Sequence, residues 1–335
     1  MNLCCLARVL ILDVYMLQPL KPSSLHPGDM VRVVSLASPV DAESFDRGCA
    51  ELKRLGYVPK FDRDAVLASE SYFAGSTHQR LAALKQALAE PDTKAIFCSR
   101  GGYGSNYLLD DLARNFEAPR QKIVLGYSDI TSLQVFLWQK LRWITFYGPM
   151  IGSGFDRGPN GYDQNSLCAA LAQNANGWNL DLQGETLVVG GTEGVLLGGC
   201  LTLLETTLGT SWELETADSI LVLEDRGMRP YQVDRALMHL KQAGKLRNVR
   251  GIILGEFPEC AAAEGGESLR EIVTRILLPS EHRLGPLPVV FGAAVGHATR
   301  PMLTLPFGIR ARLTAVASTA GDSGTKLEIL EPAVV

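Results

Sequence analysis

Short apolar runs alternate with segments of helical periodicity through the first half of the chain, which is the pattern of parallel βαβ units. A turn at Pro27-Gly28-Asp29 precedes the first apolar run. The predicted strands are 30–37, 57–61, 94–99 and 122–127, and the predicted helices are 41–55, 77–90, 104–114 and 130–141. The sequence therefore predicts an N-terminal α/β domain with a doubly wound parallel sheet.

The second half shows the alternation less regularly. Gly, Asn, Asp and Pro become frequent between residues 155 and 190, which indicates a linker. The stretch "GVLLGGCLTLLETTLGT" that follows is typical of a Gly-rich turn entering a helix. Further along, the predicted strands are 219–223, 249–257 and 288–295, the predicted helices are 231–243 and 267–278, and short strands and turns follow Arg300. These elements predict a C-terminal α/β domain with mixed short strands.

These patterns divide the chain into an extension at 1–22, an N-terminal domain at 23–158, a linker at 159–189 and a C-terminal domain at 190–335. The first fifteen residues, "MNLCCLARVLILDVY", are apolar but shorter than a membrane span. They also lack the basic front end and small-residue cleavage site of a signal peptide. We expect this segment to be disordered or a misassigned start, with Met16 as the true beginning.

Composition narrows the class of protein. Hydrophobic residues make up 46% of the 335 positions and the net charge is only -4, so the chain can bury a sizeable core. Acidic and basic residues are interspersed, and we therefore expect neither nucleic acid nor a membrane as a partner. Seven cysteines without a CxxC pair favour a reducing, cytoplasmic location. The five histidines stand apart, so we expect no metal site, and no P-loop occurs.

Polar or reactive groups follow four of the predicted strands. Because ligands of open α/β sheets bind beyond the carboxyl ends of the strands, these groups are the candidates for chemistry. They are Arg100 to Gly104 ("RGGYG") after strand 94–99, Ser128 and Asp129 after 122–127, Glu224 and Asp225 after 219–223, and Gly296 and His297 after 288–295.

This set contains the parts of a serine hydrolase. Ser128 lies at a strand-to-helix turn, where a hydroxyl can be raised above the sheet as a nucleophile. A serine needs a general base, and an imidazole base needs a carboxylate to orient it, so His297 and Glu224 complete a triad. The backbone N–H groups of Gly102 and Asp129 are the candidate oxyanion donors.

Each residue also has a plainer interpretation. Ser128 is a reasonable helix N-cap, and Glu224 a solvated strand end paired with Arg226 or Arg229. His297 is a possible loop or core residue, and "RGGYG" a simple Gly-rich turn. A cysteine nucleophile at Cys98 or Cys200 is a further alternative, although Cys98 falls inside an apolar strand. Taken singly the plainer interpretations are favoured, and only the combination favours a Ser–His–Glu hydrolase.

Several longer motifs resemble the LD-carboxypeptidase family, the murein tetrapeptide carboxypeptidases and their relatives the microcin C immunity peptidases. The resemblance extends from Gly28 to about Leu313. It is carried by "GDMVRVVSLASPV", "SYFAGSTHQRLAALKQAL", "AIFCSRGGYGSNYLL", "GYSDITSL", "YGPM", "GVLLGGCLTLLETTLGT", "ILVLEDRGMRPYQVDRAL", "GIILGEF" and "GHATRPMLTLPFG".

The resemblance implies a two-domain serine peptidase with its site in the cleft between the domains. Ser128, Glu224 and His297 would form the triad, with the N–H groups of Gly102 and Asp129 as oxyanion donors. It implies removal of the terminal D-alanine from a murein tetrapeptide in peptidoglycan recycling, without a cofactor, by a homodimer. Arg100, Gly101 and Tyr103 are the candidate substrate-binding residues.

The same motifs are compatible with two other functions. One is a microcin C-type immunity peptidase that cleaves peptidyl-nucleotide compounds, and the other is a catalytically silent muropeptide-binding protein. The chain also departs from the family pattern at two positions: Met228 stands where a glutamate is frequent, and Cys200 where an asparagine is frequent. Neither departure touches the predicted triad, and both bear on the shape of the pocket.

Overall fold

The computed structural model describes residues 18–115, 120–173, 177–261, 266–278, 287–318, 321 and 323–335. The predicted start at Met16 and most of the predicted extension lie outside these residues. The part of the extension that is described is held by the body of the protein. The Leu20 N–H donates to Arg142 O at 2.8 Å, and the Ile144 N–H donates to Leu20 O at 3.0 Å.

The first sheet contains six strands in the order β12-β5-β4-β3-β1-β2. Its strands β1 to β5 pair in parallel, whereas β12 pairs antiparallel to β5. The bounds are β1 Met30–Val34, β2 Val58–Lys60, β3 Thr93–Cys98, β4 Ile123–Gly126, β5 Thr145–Tyr147 and β12 Leu305–Phe307. β3 and β4 are almost entirely apolar and buried because helices cover both faces of a parallel sheet.

The helices of this half begin at the polar residues that the sequence supplies. Asp41 caps the first helix by accepting from the Ser44 N–H, and Ser76 forms a capping box with Gln79. The bounds are α1 Ala42–Arg54, α2 Arg63–Val66, α3 Thr77–Ala89, α4 Leu109–Asn115, α5 Thr131–Leu141 and α6 Gln164–Leu171, with 3₁₀ turns at Ser105–Leu108, Ser128–Ile130 and Phe155–Asn160.

The second sheet contains eight strands in the order β6-β14-β13-β8-β9-β10-β11-β7. A parallel centre of β8 to β11 is flanked by antiparallel strands on both sides. The strands are β6 Trp178–Asp181, β7 Glu185–Val188, β8 Gly190–Cys200, β9 Ser219–Glu224, β10 Gly251–Gly255, β11 Val289–Ala293, β13 Arg310–Ala315 and β14 Thr325–Ile329, and the helices are α7 Leu201–Thr206, α8 Pro230–Gln242 and α9 Leu269–Leu277. The predicted fold class, a parallel-sheet α/β half followed by a mixed α/β half, is confirmed.

One predicted element is wrong. The segment "GVLLGGC" is not a turn but the end of β8, a long strand at the centre of the second sheet. Glycine usually weakens strands, and here it is required by close packing. A Cβ on Gly198 would lie 2.0 Å from Val222 O, and a Cβ on Gly194 would lie 2.7 Å from Asp218 O. The glycines therefore let β8 approach β9 closely.

Two segments connect the halves in ways that the sequence pattern does not show. Residues 159–189, predicted as a linker, contain α6 together with β6 and β7, which both pair in the second sheet. In the opposite direction, β12 comes from the C-terminal half and pairs with β5 of the first sheet, with Leu305 opposite Tyr147. Buried apolar side chains from both sheets form one continuous cluster. Within the described ranges, no helix has the length and apolar character needed to cross a membrane.

We expect Leu305→Ala to destabilise the protein by about 2 to 5 kcal/mol, because Leu305 is fully buried where β12 joins the first sheet. The measurement is urea denaturation followed by circular dichroism. The control is Leu278→Ala, at a leucine that is 38% exposed and should change stability by less than about 0.5 kcal/mol. Equal losses in the two variants would show that β12 does not hold the halves together.

Candidate active site

The predicted reactive groups gather at the carboxyl ends of the parallel strands. The turn containing Gly101 and Gly102 follows β3, and Ser128 follows β4 by two residues. Glu224 is the last residue of β9, and His297 lies four residues beyond the end of β11. The two sheets meet at these ends, where the Tyr147 hydroxyl of the first sheet donates to Glu224 of the second.

Ser128 has a strained backbone. Its φ is 60°, in the left-handed region that non-glycine residues seldom adopt, while the preceding Tyr127 is extended. Such strain costs on the order of 1–3 kcal/mol and is frequent where a side chain must be presented for function. The turn has no room for a side chain opposite Ser128, because a Cβ on Gly101 would lie 2.8 Å from Ser128 Cβ and 3.1 Å from its Oγ. Gly101 therefore leaves open the space beside the hydroxyl.

The Asp129 side chain ties this turn to the one after β3. Its carboxylate accepts from the Gly104 N–H at 3.1 Å and the Ser105 N–H at 2.8 Å. Burial raises the pKa of the Asp129 carboxyl above its usual value, and the hydrogen bonds from Ser105 and Gly104 only partly oppose that effect. Among the described residues, the N–H groups of Gly102 and Asp129 have no acceptor. Both donors are thus available to a ligand.

Glu224 and His297 form a buried pair. The carboxylate has no solvent exposure, and its Oε2 accepts from His297 Nδ1 at 2.8 Å and from the His297 backbone N–H at 2.9 Å. An ionised carboxylate only accepts, so Nδ1 carries the imidazole proton and Nε2 keeps its lone pair. This tautomer is the one in which a histidine acts as a general base.

The pair shifts both pKa values in the direction that keeps it charged. Burial opposes ionisation of Glu224, but the charge and hydrogen bonds of His297, together with the hydrogen bond from Tyr147, outweigh burial and lower the pKa of this carboxyl. Burial likewise favours neutral His297, but the charge of Glu224 and its hydrogen bond outweigh that effect and raise the pKa of the imidazole. His297 therefore binds a proton more readily than a free histidine does.

Two neighbours hold the imidazole in place. The ring of Tyr127 packs edge-on against His297, with 5.0 Å between ring centroids and an interplanar angle of 71°. Gly296 has a φ of 61°, and a Cβ there would lie 2.2 Å from Glu224 Cδ. The glycine before His297 is therefore required both by its backbone conformation and by the proximity of the carboxylate.

Tyr147 belongs to the site, although the sequence analysis did not single it out. It ends β5 with no solvent exposure, donates to Glu224 Oε1 at 2.5 Å and accepts from the Ser128 N–H at 3.3 Å. The one feature of the sequence that points to Tyr147 is the motif "YGPM", in which it is the first residue. The tyrosine hydroxyl connects the residue predicted as the nucleophile with the carboxylate of the other sheet.

Not every predicted contact is formed. Among the described residues, the Ser128 hydroxyl has no hydrogen-bond partner, so the Ser128 to His297 bond of an assembled triad is absent. Catalytic hydrogen bonds are often longer in ligand-free enzymes and tighten when substrate binds. Arg100 is exposed and donates to Pro39 O at 2.7 Å. The Tyr103 N–H donates to Ser38 Oγ at 3.1 Å, and its ring is 41% exposed.

The cysteine alternatives fit poorly. Cys98 and Cys200 are both buried, and burial raises the pKa of each thiol well above its usual value, so neither forms a thiolate readily. Cys200 Sγ instead donates to Asp225 Oδ2 at 3.4 Å. In the part of the chain that the structure describes, no group of three or more His, Cys, Asp and Glu side chains is arranged to hold a metal ion.

Cys200 and Met228, the two positions where the chain departs from the family pattern, place sulfur atoms near Thr202 and near Asp225, which lies just beyond the end of β9. Met228 Sδ lies 3.6 Å from Thr202 Oγ1, and the Met228 N–H donates to Cys260 Sγ at 3.2 Å. Thr202 in turn donates through its N–H and its hydroxyl to Asp225 Oδ2. Cys200 is buried opposite Glu224 in the β8–β9 pairing, and the partly buried Met228 contacts Thr202.

Comparisons with known proteins identify what the chain is similar to. The family model of the LD-carboxypeptidase N-terminal domain matches residues 31–148, and that of the C-terminal domain matches residues 193–313. A probable murein peptide carboxypeptidase of Bacillus subtilis is 33% identical over 90% of this chain and 93% of its own length. The murein tetrapeptide carboxypeptidase of Pseudomonas aeruginosa is 34% identical over 65% of this chain and 75% of its own.

Solved structures share the fold. The microcin C7 self-immunity protein MccF without ligand superposes with a TM-score of 0.79 at 25% identity, over 95% of this chain and all of that one. A muramoyltetrapeptide carboxypeptidase from Oxalobacter formigenes superposes with a TM-score of 0.73 at 27% identity, over 90% of this chain and 99% of its own.

We expect Gly296→Ala to slow the reaction of the protein with a fluorophosphonate, a reagent that labels activated serines. The added Cβ must displace the Glu224 carboxylate and so disturb His297. The matched control is Gly292→Ala, because Gly292 also has a positive φ, of 75°, but a Cβ there meets nothing within 4 Å. Both variants bear backbone strain of about 1–2 kcal/mol, so equal labelling rates would contradict a specific effect on Glu224.

The pH dependence of the same labelling follows from the raised pKa of His297. The general base must be unprotonated, so the rate should rise with pH through a midpoint above the ordinary histidine value of 6.5. Glu224→Gln removes the charge that raises this pKa, so the midpoint should fall, and the rate should drop about ten-thousand-fold, as is typical when a triad carboxylate becomes an amide. The control is Glu185→Gln, at an exposed carboxylate paired with Arg270 away from His297. An unchanged midpoint in Glu224→Gln would refute this electrostatic assignment.

Proposed function

The chain belongs to the LD-carboxypeptidase family of serine-type carboxypeptidases, and from this we propose that it removes the terminal D-alanine from a murein tetrapeptide. The bond cleaved is the one between the L-centre of the diamino acid at the third position and D-alanine. The product is a tripeptide, and the role that fits this reaction is peptidoglycan recycling.

The observation that carries the proposal is the hydrogen-bonded pair of Glu224 and His297 at the strand ends where Ser128 has its strained backbone. A nucleophile, a base of the correct tautomer and a buried carboxylate are the three parts that acyl transfer needs. The residues are those that the motifs predict, and Tyr147 links the two sheets that carry them.

The proposed reaction begins with attack by Ser128. His297 Nε2 takes the hydroxyl proton as Ser128 Oγ forms a bond to the carbonyl carbon on the L-centre side. The resulting oxyanion receives hydrogen bonds from the N–H groups of Gly102 and Asp129, each worth about 2.7–4 kcal/mol in the transition state. The C–N bond then breaks, His297 returns the proton to the departing amine, and D-alanine leaves.

Hydrolysis of the acyl-enzyme uses the same groups. His297 takes a proton from a water molecule whose oxygen attacks the ester carbonyl, and the C–O bond to Ser128 breaks as the proton returns to Oγ. Glu224 stays ionised throughout and stabilises the imidazolium that forms in each step. Every proton that His297 accepts is thereby returned.

A carboxypeptidase must also hold the free carboxylate of its substrate. We assign this role to Arg100, whose exposed guanidinium lies directly before the Gly101-Gly102 turn and can engage a carboxylate through two N–H groups. Gly101 permits close approach of the peptide to Ser128. Tyr103 lies in the same turn and presents an exposed ring.

A second candidate activity is cleavage of a peptidyl-nucleotide compound. The observation that favours it is a set of mutually contacting aromatic rings beside the same turn, which we call the aromatic cluster: Tyr72, Phe73, Tyr103 and Tyr107. Its three tyrosines are 41 to 56% exposed, and exposed aromatic rings stack readily on nucleobases. The similar protein MccF, 25% identical, has been solved in complex with aspartyl sulfamoyl adenosine.

The decisive test is mass spectrometry of the full chain incubated with L-Ala-γ-D-Glu-meso-diaminopimelate-D-Ala. We expect the native protein to release one alanine and Ser128→Ala to release none, because the variant lacks the nucleophile. The matched control is Ser71→Ala, since Ser71 is an exposed serine with a similar left-handed φ of 57°. This control should retain native turnover.

The lysine analogue of the tetrapeptide and aspartyl sulfamoyl adenosine are assayed in parallel. Cleavage of the nucleotide compound alone would replace the murein proposal with the second candidate. If the native protein binds the tetrapeptide but turns over none of the three compounds, the muropeptide-binding alternative replaces both activities.

A further inference from the structure

We propose that Tyr147 is a positioning residue of the catalytic triad, whose hydroxyl orients Glu224 and links that carboxylate to the nucleophile turn. The inference rests on the proposed serine hydrolase function and adds a fourth residue to the machinery. Tyr147 acts through Glu224 and not on the substrate, because it has no solvent exposure.

The hydrogen bonds of the Tyr147 hydroxyl have only one possible direction. A backbone N–H can only donate, so Oη accepts from the Ser128 N–H at 3.3 Å. Thr131 also hydrogen-bonds this hydroxyl, in the direction that lowers the phenol pKa, and so donates to Oη as well. Because an ionised carboxylate only accepts, the single hydroxyl proton goes to Glu224 Oε1, 2.5 Å away. Burial and the charge of Glu224 raise the pKa of the phenol well above its usual value, so the proton stays on Tyr147 at any working pH.

The Glu224 carboxylate divides its partners between its two oxygens. Oε2 receives both donors of His297, its backbone N–H and Nδ1–H, and Oε1 receives the proton of Tyr147. Without Tyr147, Oε1 would lose this donor in a place with no access to solvent. Three donors arriving from two directions fix the rotation of the carboxylate, and this rotation sets the orientation of the imidazole.

The tyrosine ring is held independently of its hydroxyl. It stacks on Phe307 of β12, with 5.1 Å between ring centroids and an interplanar angle of 26°, and its backbone pairs with Leu305. Tyr147→Phe should therefore keep the ring in place and remove only the hydroxyl. The substitution separates the role of the hydrogen bond from that of packing.

The loss of the hydroxyl has a defined electrostatic consequence. A donor to Glu224 draws negative charge away from the oxygen that faces His297, so removing the donor strengthens the attraction between the carboxylate and the imidazolium. The pKa of His297 should rise further, and the acid limb of activity should move to higher pH. The less well oriented pair should lower kcat while leaving KM unchanged, since Tyr147 does not touch the substrate.

The chain contains a matched control. Tyr162 is also buried and also donates to a glutamate, Glu51 Oε1, at 2.5 Å, but it lies outside the site. Tyr162→Phe removes the same kind of hydrogen bond. A purely structural role of Tyr147 would make the two variants alike in every readout except the size of the stability loss.

The experiment is an NMR titration of full-length protein with ¹⁵N-labelled histidine, which reports the pKa of His297 without any substrate. We expect Tyr147→Phe to raise this pKa relative to the native protein and Tyr162→Phe to leave it unchanged. In the tetrapeptide assay, kcat of Tyr147→Phe should fall about tenfold to a hundredfold, the rate loss that corresponds to one hydrogen bond to a charged group, with KM unchanged.

A double-mutant cycle adds a second criterion. In a Glu224→Gln background, Tyr147→Phe should no longer shift the His297 titration, because the carboxylate through which it acts is gone. If Tyr147→Phe leaves the His297 pKa and kcat unchanged, or shifts the pKa equally in both backgrounds, the proposal is overturned. A His297 pKa that shifts as expected in a protein inactive on the tetrapeptide would support the positioning role and refute only the proposed substrate.

Should Tyr147→Phe fail to fold, the native protein still provides a test. A hydroxyl proton held between Tyr147 and a buried carboxylate should give a downfield proton resonance that is protected from exchange and shifts as His297 titrates. A spectrum in which no exchange-protected downfield hydroxyl resonance follows that titration would overturn the proposal.

Discussion

A carboxylate without solvent access must receive its hydrogen bonds from the protein, and Glu224 receives them from both sheets. Tyr147 brings a donor from the last parallel strand of the first sheet, and His297 brings two from the loop after β11 of the second. An unpaired buried charge costs several kcal/mol, so these hydrogen bonds favour the arrangement in which the two sheets meet. The same contacts that satisfy Glu224 assemble the candidate site.

The site also depends on glycines at positions where the side chain of any other residue would collide with a neighbouring group. Gly101 lies against Ser128, Gly296 against Glu224, and Gly199 against Thr131, whose side-chain atoms would come within 2.5 Å of a Cβ there. Crowding of this kind is expected where strand ends from two sheets converge on a few reactive groups. Glycine in these positions has a steric function, which explains why a strand as Gly-rich as β8 can lie at the centre of its sheet.

The fold by itself does not distinguish the kinds of protein found among similar structures, since a muramoyltetrapeptide carboxypeptidase and the self-immunity protein MccF superpose on the chain with TM-scores of 0.73 and 0.79. Differences in function are expected in the surroundings of the candidate site. On the β9 side this chain has a partly buried Met228 and a buried Cys200, and beside the Gly101-Gly102 turn it has the aromatic cluster. We therefore expect substrate choice to depend on side chains around the candidate site.

The sequence by itself determined the alternation of strands and helices in the first half and the reactive residues at the strand ends, because hydrophobic periodicity and strand-end chemistry are local properties. It did not reveal β8 as a strand, since its glycines look like a turn until Val222 O is known to lie 2.0 Å from a Cβ at Gly198. Nor did it reveal β12 crossing to the first sheet, or Tyr147 between Ser128 and Glu224. The Tyr147 to Glu224 bond joins residues 77 positions apart, and Leu305 of β12 lies about 160 positions from Tyr147, its partner in β5. Only the tertiary structure decides such contacts, because they depend on how the two sheets pack.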